Sequence, residues 1–232
     1  MQVQEALDVV RDSGHAVEGS LLCVLGMIQL WQGRWQEALQ TAERGRRTGE
    51  RVNGPYVLAI CRVLSGYAEF VERRSDTALA ELGRAVTWLE GREIGLYLGF
   101  SYSHLAEALL LAERHDEARE FAQRAIACAT TSDPLGQASG QRTLSVLAVR
   151  EGQREQAVDH TARAFESARK RSSERDTALT HLYFAQVQRI FGDHAAARAE
   201  LTAAKMLFQR LGMAHHEALA QRRLNGELNG SG

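Results

Sequence analysis

Apolar and polar side chains alternate along this chain with the period of an α-helix. In the segment 55–73, apolar residues recur at three- and four-residue intervals, and polar residues occupy the opposite side. The apolar stripe consists of Val57, Ile60, Cys61, Leu64, Ala68 and Val71. This spacing predicts an amphipathic helix with one buried face. The segment 21–30 is apolar on nearly all sides and predicts a helix buried almost completely. Since no strand pattern is found, an all-α fold is predicted.

A second pattern consists of small residues that return about every forty residues. Within each unit they form two pairs, and the members of a pair are seven residues, or about two helical turns, apart. The twenty positions are Gly19, Gly26, Ala38, Gly45, Ala59, Gly66, Ala78, Ala85, Gly99, Ala106, Ala118, Ala125, Ala138, Ser145, Ala157, Ala164, Ala178, Ala185, Ala197 and Ala204. Small side chains let facing helices approach closely. A fixed period of this length indicates a solenoid of paired helices.

The small residues, together with the turns at 33–38, 152–157 and 192–197, resemble the tetratricopeptide repeat. That family places small residues at corresponding positions and a Gly-containing turn between its two helices. The resemblance covers residues 15–212 and implies a right-handed α-solenoid of about five antiparallel helix pairs. The period of forty is longer than the family's thirty-four. The repeats are therefore similar to those of the maltotriose-responsive activator, of LuxR-type regulators and of bacterial regulators with ATPase or cyclase domains.

The repeat register also predicts how the chain is divided. The predicted segments are a partial preceding repeat at 1–14, repeats at 15–54, 55–94, 95–133, 134–173 and 174–212, a capping helix at 213–225 and a disordered tail at 226–232. The first segment resembles the second half of a repeat, so the chain is expected to be the C-terminal region of a longer protein. Because such repeats pack only against their neighbours, one elongated body is expected.

Charge and cysteine content narrow the possible partners and compartments. The chain has 28 Lys and Arg against 29 Asp and Glu, a formal charge of −1, so direct nucleic acid binding is not expected. Its three cysteines show no metal-ligand spacing and are expected to be free thiols. Neither a leader peptide nor an apolar run long enough for a membrane span is found. The sequence therefore predicts a cytoplasmic protein without membrane contact.

Motifs that would indicate an enzyme are missing from the sequence. It has no phosphate-binding GxxxxGK[ST] loop and no GxGxxG motif, and His215 and His216 lack the HExxH spacing of a zinc site. His104 and His115 lie near acidic residues, but turn residues of this repeat are normally exposed, so an acid and base pair is not favoured. The interpretation is a non-enzymatic protein with no cofactor and no metal; the two C-terminal histidines are assigned to a solvated cap.

The resemblance implies a candidate binding surface along the inner side of the A helices, the first helix of each pair. Transferring the family's concave positions selects Met27, Trp31, Tyr67, Phe70, Glu107, Arg142, Arg150, Gln186 and Arg189. This surface would be apolar towards its N-terminal end and rich in arginine towards its C-terminal end. An extended peptide, or a helix with an acidic C-terminal part, would complement it.

Three functions fit these observations. The first is a protein–protein interaction scaffold that binds another protein or another domain of the same polypeptide, as the regulatory region of a bacterial signalling or transcription-regulatory protein. The alternative is a sensor domain that binds a peptide or small effector on its inner surface. The third is an oligomerisation spacer. An open inner groove would favour the scaffold, whereas a pocket lined by aromatic and polar groups would favour the sensor.

Overall fold

The computed structural model describes residues 2–10, 16–92, 95, 97–128 and 134–226, and these ranges contain twelve α-helices and no β-strand. The helices are α1 (Gln2–Val10), α2 (Ala16–Trp31), α3 (Trp35–Arg51), α4 (Pro55–Arg73), α5 (Asp76–Glu90), α6 (Leu98–Leu111), α7 (His115–Cys128), α8 (Gln137–Arg150), α9 (Arg154–Lys170), α10 (Glu174–Ile190), α11 (His194–Arg210) and α12 (Ala214–Leu224). The all-α prediction is confirmed. Of the predicted disordered tail at 226–232, all but Gly226 lies outside the described residues.

The helices pack as consecutive antiparallel pairs, and the first helix of each pair also packs on the first helix of the next. The pairs are α2–α3, α4–α5, α6–α7, α8–α9 and α10–α11, with α1 before them and α12 after them. This is the solenoid arrangement that the repeat pattern predicts. Within the described ranges, no helix combines the length and the apolar character needed to cross a bilayer.

The stripe of small residues lies where neighbouring helices meet, both within a pair and between successive pairs. All twenty of its positions are buried. A Cβ atom added to Gly26 would lie 2.6 Å from Leu64 Cδ1, and one added to Gly45 would lie 2.4 Å from Cys61 Sγ. Carbon and sulfur atoms cannot approach that closely, so larger side chains at these positions would separate the helices. The stripe therefore sets the distance between neighbouring helices, as its spacing predicts.

Several turns between consecutive helices depend on residues that tolerate positive φ. Gly33, Gly152, Gly192 and Gly212 have φ values of +73°, +71°, +87° and +66°. Glycine adopts this region at no steric cost, so it ends one helix and allows the chain to reverse. The Gly-containing turns identified in the sequence are therefore helix terminators in the structure.

The two ends of the repeat array contact each other, and the expectation of one elongated body is wrong. The Trp35 ring lies 5.6 Å from the His215 ring and 6.4 Å from the His216 ring, measured between centroids. A Cβ atom added to Gly33 would lie 2.7 Å from His215 Cβ. The curvature of the stacked repeats brings α12 back to the turn between α2 and α3. The accessible surface is 11395 Å², close to the value of about 10,400 Å² expected for a compact protein of 25.7 kDa.

Candidate functional site

The A helices surround a narrow interior cavity of about 50 Å³. It lies on the inner side of the curved array, and its walls come from every repeat and from α12. The lining residues are Leu30, Trp31, Trp35, Tyr67, Ser103, His104, Glu107, Leu135, Ser139, Arg142, Arg175, Leu179, Tyr183 and His216. A cavity of this volume holds a few water molecules, and its walls carry both aromatic rings and charged groups.

The contact between the two ends of the array forms one wall of the cavity. The Arg175 guanidinium carbon lies 4.5 Å from the centre of the Trp31 ring, a cation–π arrangement. His216 packs against Phe208 at 5.3 Å and against Trp35 on the first repeat. The assignment of His216 to a solvated cap is therefore wrong, because the curvature of the array places its ring between apolar neighbours.

Arg142 and Arg175 line a second wall and belong to a cluster of three arginines around one buried carboxylate. Asp176 is fully buried, and its Oδ1 accepts from Arg175 Nη2 at 2.6 Å and from Arg142 Nη1 at 3.4 Å. Its Oδ2 accepts from Arg171 Nη1 at 3.0 Å and from Ser173 Oγ at 2.9 Å. Burial would raise the pKa of the Asp176 carboxyl, but the three guanidiniums outweigh that effect and lower the pKa to about 2. Asp176 is therefore ionised at neutral pH.

The opposite wall holds a second carboxylate and two tyrosines. Tyr183 Oη donates to Glu107 Oε1 at 3.0 Å. Burial and the Glu107 carboxylate raise the pKa of both Tyr67 and Tyr183 above the ordinary value of tyrosine. Both hydroxyls therefore remain protonated at neutral pH and can donate hydrogen bonds. This wall joins α4, α6 and α10 across the interior.

Two neutral histidines complete the lining. His104 is buried, and its Nδ1 donates to the Phe100 carbonyl oxygen at 2.8 Å. Burial lowers the pKa of His104 to about 4. Burial, together with His215, Arg175 and Arg142, lowers the pKa of His216 to about 3. Its Nδ1 is buried and has no hydrogen-bond partner among the described residues. His104 is not placed for acid and base work with His115, which accepts a hydrogen bond from Arg150 on α8.

Four of the nine candidate residues from the sequence lie together in the cavity wall: Trp31, Tyr67, Glu107 and Arg142. The other five are elsewhere. Met27 and Phe70 are in the hydrophobic core, with 3% and 2% of their surface exposed. Arg150 and Arg189 are exposed, and the half-buried Gln186 is not among the lining residues.

Several lining residues were missed in the sequence, among them Arg175, Tyr183 and His216. They lie outside the concave positions transferred from the family. Asp176 follows Ser172 and Ser173 at the start of a helix and looks like an exposed capping residue. Arg171 and Arg175 precede Asp176 by five residues and by one residue, a local charge pattern that could have indicated a cluster of ion pairs.

The described residues offer no obvious metal site. No group of three or more His, Cys, Asp or Glu side chains among them is arranged to hold a metal ion. Cys23 and Cys61 are buried free thiols, and Cys128 is a half-buried one. A hydrogen bond with the Cys61 side chain, together with burial, raises the pKa of the Cys23 thiol.

Comparison with solved structures identifies the fold. PlcR of Bacillus thuringiensis, solved with the peptide PapR7 and DNA, is 10% identical with a TM-score of 0.73, over 88% of this chain and 74% of PlcR. A Rap protein solved with the competence and sporulation factor is 16% identical with a TM-score of 0.62, over 96% of this chain and 66% of that one. The fold is of the tetratricopeptide-repeat type.

A third tetratricopeptide-type neighbour is a chain of the Cut9–Hcn1 assembly, which is 16% identical with a TM-score of 0.64. The match covers 94% of this chain but only 39% of that one. No family model and no curated protein matches the sequence. At these identities the likeness concerns the fold alone, and the resemblance to maltotriose-responsive regulators stays a prediction.

Proposed function

We propose that this chain is a non-enzymatic ligand-binding repeat domain whose interior cavity receives part of a peptide or small effector. The observation that carries the proposal is the cavity itself, which joins aromatic and charged side chains from all five repeats and from α12. Ligand sites in proteins typically combine apolar walls with a few placed polar groups. Of the functions that the sequence left open, this arrangement favours the sensor.

Each wall of the cavity has a distinct part in this proposal. Arg142 and Arg175 provide positive charge, and Trp31 provides an aromatic surface. Glu107 and the hydroxyl of Tyr183 provide an acceptor and a donor on the opposite side. Such a combination can orient a ligand that has one anionic group and a short apolar part.

The cavity also suggests how binding would be transmitted. Its walls include the first repeat and α12, the two parts of the array that meet at Trp35 and His215. A ligand that contacts both would favour the arrangement in which the ends are joined, and its loss would favour a more open curvature. A larger regulatory protein containing this domain could respond to that change.

The neighbours in fold support a ligand of this general kind. PlcR was solved with the peptide PapR7 and with DNA, and the Rap protein with the competence and sporulation factor. Both structures combine this type of fold with a bound effector. We extend this to the present chain only as a proposal, together with its place in a bacterial signalling or transcription-regulatory protein.

The test is a thermal-shift screen with a library of short peptides and small metabolites on three proteins. Ser139 lines the cavity on α8, so Ser139→Met should fill part of the space. Ala80 is exposed on α5, so Ala80→Met adds the same side chain outside the cavity. We expect compounds that raise the melting temperature of wild type and of Ala80→Met, but not of Ser139→Met. Compounds that act equally on all three would place the site elsewhere.

A protein-interaction scaffold is a second proposal, supported by exposed apolar side chains outside the cavity. Ile190 on α10 is 49% exposed and Met206 on α11 is 66% exposed. The Cut9–Hcn1 structure provides an example of a related fold in complex with another protein. A partner recovered equally by wild type and Ser139→Met, but lost with Met206→Glu, would favour this function over ligand sensing.

A further inference from the structure

The cavity contains a buried guanidinium with unusually long hydrogen bonds. Only 5% of the Arg142 side chain is exposed, and its Nη1 lies 3.4 Å from Asp176 Oδ1 and 3.5 Å from Thr180 Oγ1. Charge-assisted hydrogen bonds normally measure about 2.7–2.9 Å. Within the described part of the chain, the Arg142 side chain makes no other hydrogen bond, and its only other partner there is the Tyr183 ring, at 5.8 Å from the guanidinium carbon. A buried charge with such weak partners is costly, unless another group can approach it from the cavity.

The charges around the cavity leave Arg142 with weak partners only, a long ion pair with Asp176 at 3.4 Å and the ring of Tyr183, whose centre lies 5.8 Å from the guanidinium carbon. Three guanidiniums, those of Arg142, Arg171 and Arg175, face the single carboxylate of Asp176. That carboxylate is already engaged by the two shorter ion pairs, at 2.6 Å and 3.0 Å. Glu107 on the opposite wall accepts from Tyr183 rather than from an arginine. When the carboxylates of Asp176 and Glu107 are both counted against the three guanidiniums, one positive charge remains, so an anion of one charge would balance the set and a dianion would exceed it.

A polar atom without a hydrogen-bond partner also lies in the cavity lining. His216 Nδ1 is buried without a hydrogen-bond partner among the described residues, and its ring lines the cavity. A buried polar atom without a partner costs free energy, and a ligand oxygen could remove this cost by accepting a hydrogen bond from it. Arg175, whose guanidinium lies over Trp31, adds further donors to the same wall.

Building on the ligand-binding role above, we propose that the group received beside Arg142 and Arg175 is one carboxylate, carried by a small monocarboxylic acid. A carboxylate matches the planar donor pattern of guanidinium and carries one negative charge. A cavity of 50 Å³ limits a ligand to on the order of four to six non-hydrogen atoms. A longer molecule, such as a peptide ending in a carboxylate, would require the contact between Trp35 and the C-terminal histidines to separate.

The experiment is an NMR titration of the whole ¹⁵N-labelled chain with sodium propionate, following the indole N–H signals of its three tryptophans. Trp31 reports on the cavity wall, while Trp88 on α5 lies outside it and serves as an internal control. We expect a saturable shift of the Trp31 signal and none of the Trp88 signal. Propionamide has the same shape without the charge and should bind at least tenfold more weakly; inorganic phosphate should also bind more weakly.

Three variants locate the binding. Arg142→Gln should weaken propionate binding at least tenfold, whereas Arg150→Gln, an exposed position on the same helix, should leave it unchanged. Because Arg142 also belongs to a buried cluster, its replacement could prevent folding. Ser139→Met keeps all three arginines and fills the cavity instead, so it should abolish the Trp31 shift on its own.

Several results would overturn the proposal. Equal binding of propionate and propionamide, or a propionate shift retained in Ser139→Met, would exclude a carboxylate in the cavity. Trialanine with a free carboxyl group, compared with its C-terminal amide, distinguishes the source of the group. Tighter binding of that peptide than of propionate would assign the site to a peptide terminus and exclude the small acid. If neutral compounds bind to wild type but not to Ser139→Met, and propionate does not bind, the ligand-binding function is supported and the carboxylate proposal is wrong. If no compound binds, both proposals are wrong.

Discussion

Two kinds of contact hold this chain together, and they differ in how far apart their residues lie in the sequence. Neighbouring helices meet along the stripe of small residues, which repeats in each unit and is buried throughout. The two ends meet where Gly33 and Trp35 contact His215 and His216 on α12, and where the Trp31 ring lies under Arg175 of α10. The first contact follows from a local pattern. The second depends on the curvature accumulated over all five repeats, and it forms one wall of the cavity.

The largest expected effect concerns the contact between neighbouring helices. Ala118 is fully buried at such an interface, so Ala118→Leu should force the helices apart and lower the free energy of unfolding by about 3 kcal/mol. Glu117→Leu is the control, since this residue is exposed and its ion pair with Arg114 is a surface pair. Urea denaturation of both variants measures the difference. Equal losses would mean that the stripe does not determine the packing.

The second largest effect is expected from acid, which should lower the free energy of unfolding. In the folded chain, burial lowers the pKa of His104 to about 4, below the value of about 6.5 in an unfolded chain. The unfolded state therefore binds more protons between these values, and stability is lost as the pH falls from 6.5 towards 4. We expect His104 to account for a loss of about 2 kcal/mol between pH 7 and pH 5. His216 should contribute in the same direction, since its pKa is lowered as well.

The test of this pH effect compares how much the free energy of unfolding changes with pH in each variant, rather than the free energy itself. Urea denaturation at pH 7 and pH 5 should show a smaller loss for His104→Gln than for wild type. His194→Gln changes an exposed residue at the start of α11 and should retain the wild-type slope. An unchanged slope in His104→Gln would show that this histidine is not buried in its neutral form.

A smaller effect is expected where the two ends meet. Gly33→Ala introduces a Cβ atom at positive φ and 2.7 Å from His215, so it should cost the strain of the turn and also disturb the end contact. Gly152→Ala introduces the same strain at φ +71°, but nothing lies within 4 Å of its added Cβ. We expect Gly33→Ala to lower stability by about 1 kcal/mol more than Gly152→Ala. Equal losses would argue against the contact.

Much of the fold, and part of the site, could be predicted from the sequence. The helix pairs followed from apolar periodicity and from the spacing of small residues, because both are local. Trp31, Tyr67, Glu107 and Arg142 line the cavity, and the sequence could single them out because the inner side of the A helices recurs with the repeat; their role in binding stays a prediction. Met27 and Phe70 share that side, but neighbouring helices cover them.

The other lining residues could not be predicted, because their positions depend on contacts between residues far apart in the sequence. His216 lines the cavity because the array curves enough to bring α12 to the first repeat. Asp176 resembles a helix cap in sequence, yet its carboxylate is buried by Arg142, which lies 34 residues earlier on the preceding A helix. Neither curvature nor the partner of a buried charge can be obtained from periodicity alone.

The most direct test of the account is whether the two ends meet in solution. NMR spectra of a chain labelled selectively at tryptophan, tyrosine and histidine should show nuclear Overhauser effects between the rings of Trp35 and His215, whose centroids lie 5.6 Å apart. Trp35 and Tyr67, at 6.2 Å, provide an internal reference between neighbouring repeats. We predict both sets of signals. Observation of the Trp35–Tyr67 signals without any between Trp35 and His215 would contradict the closed array and the cavity that it forms.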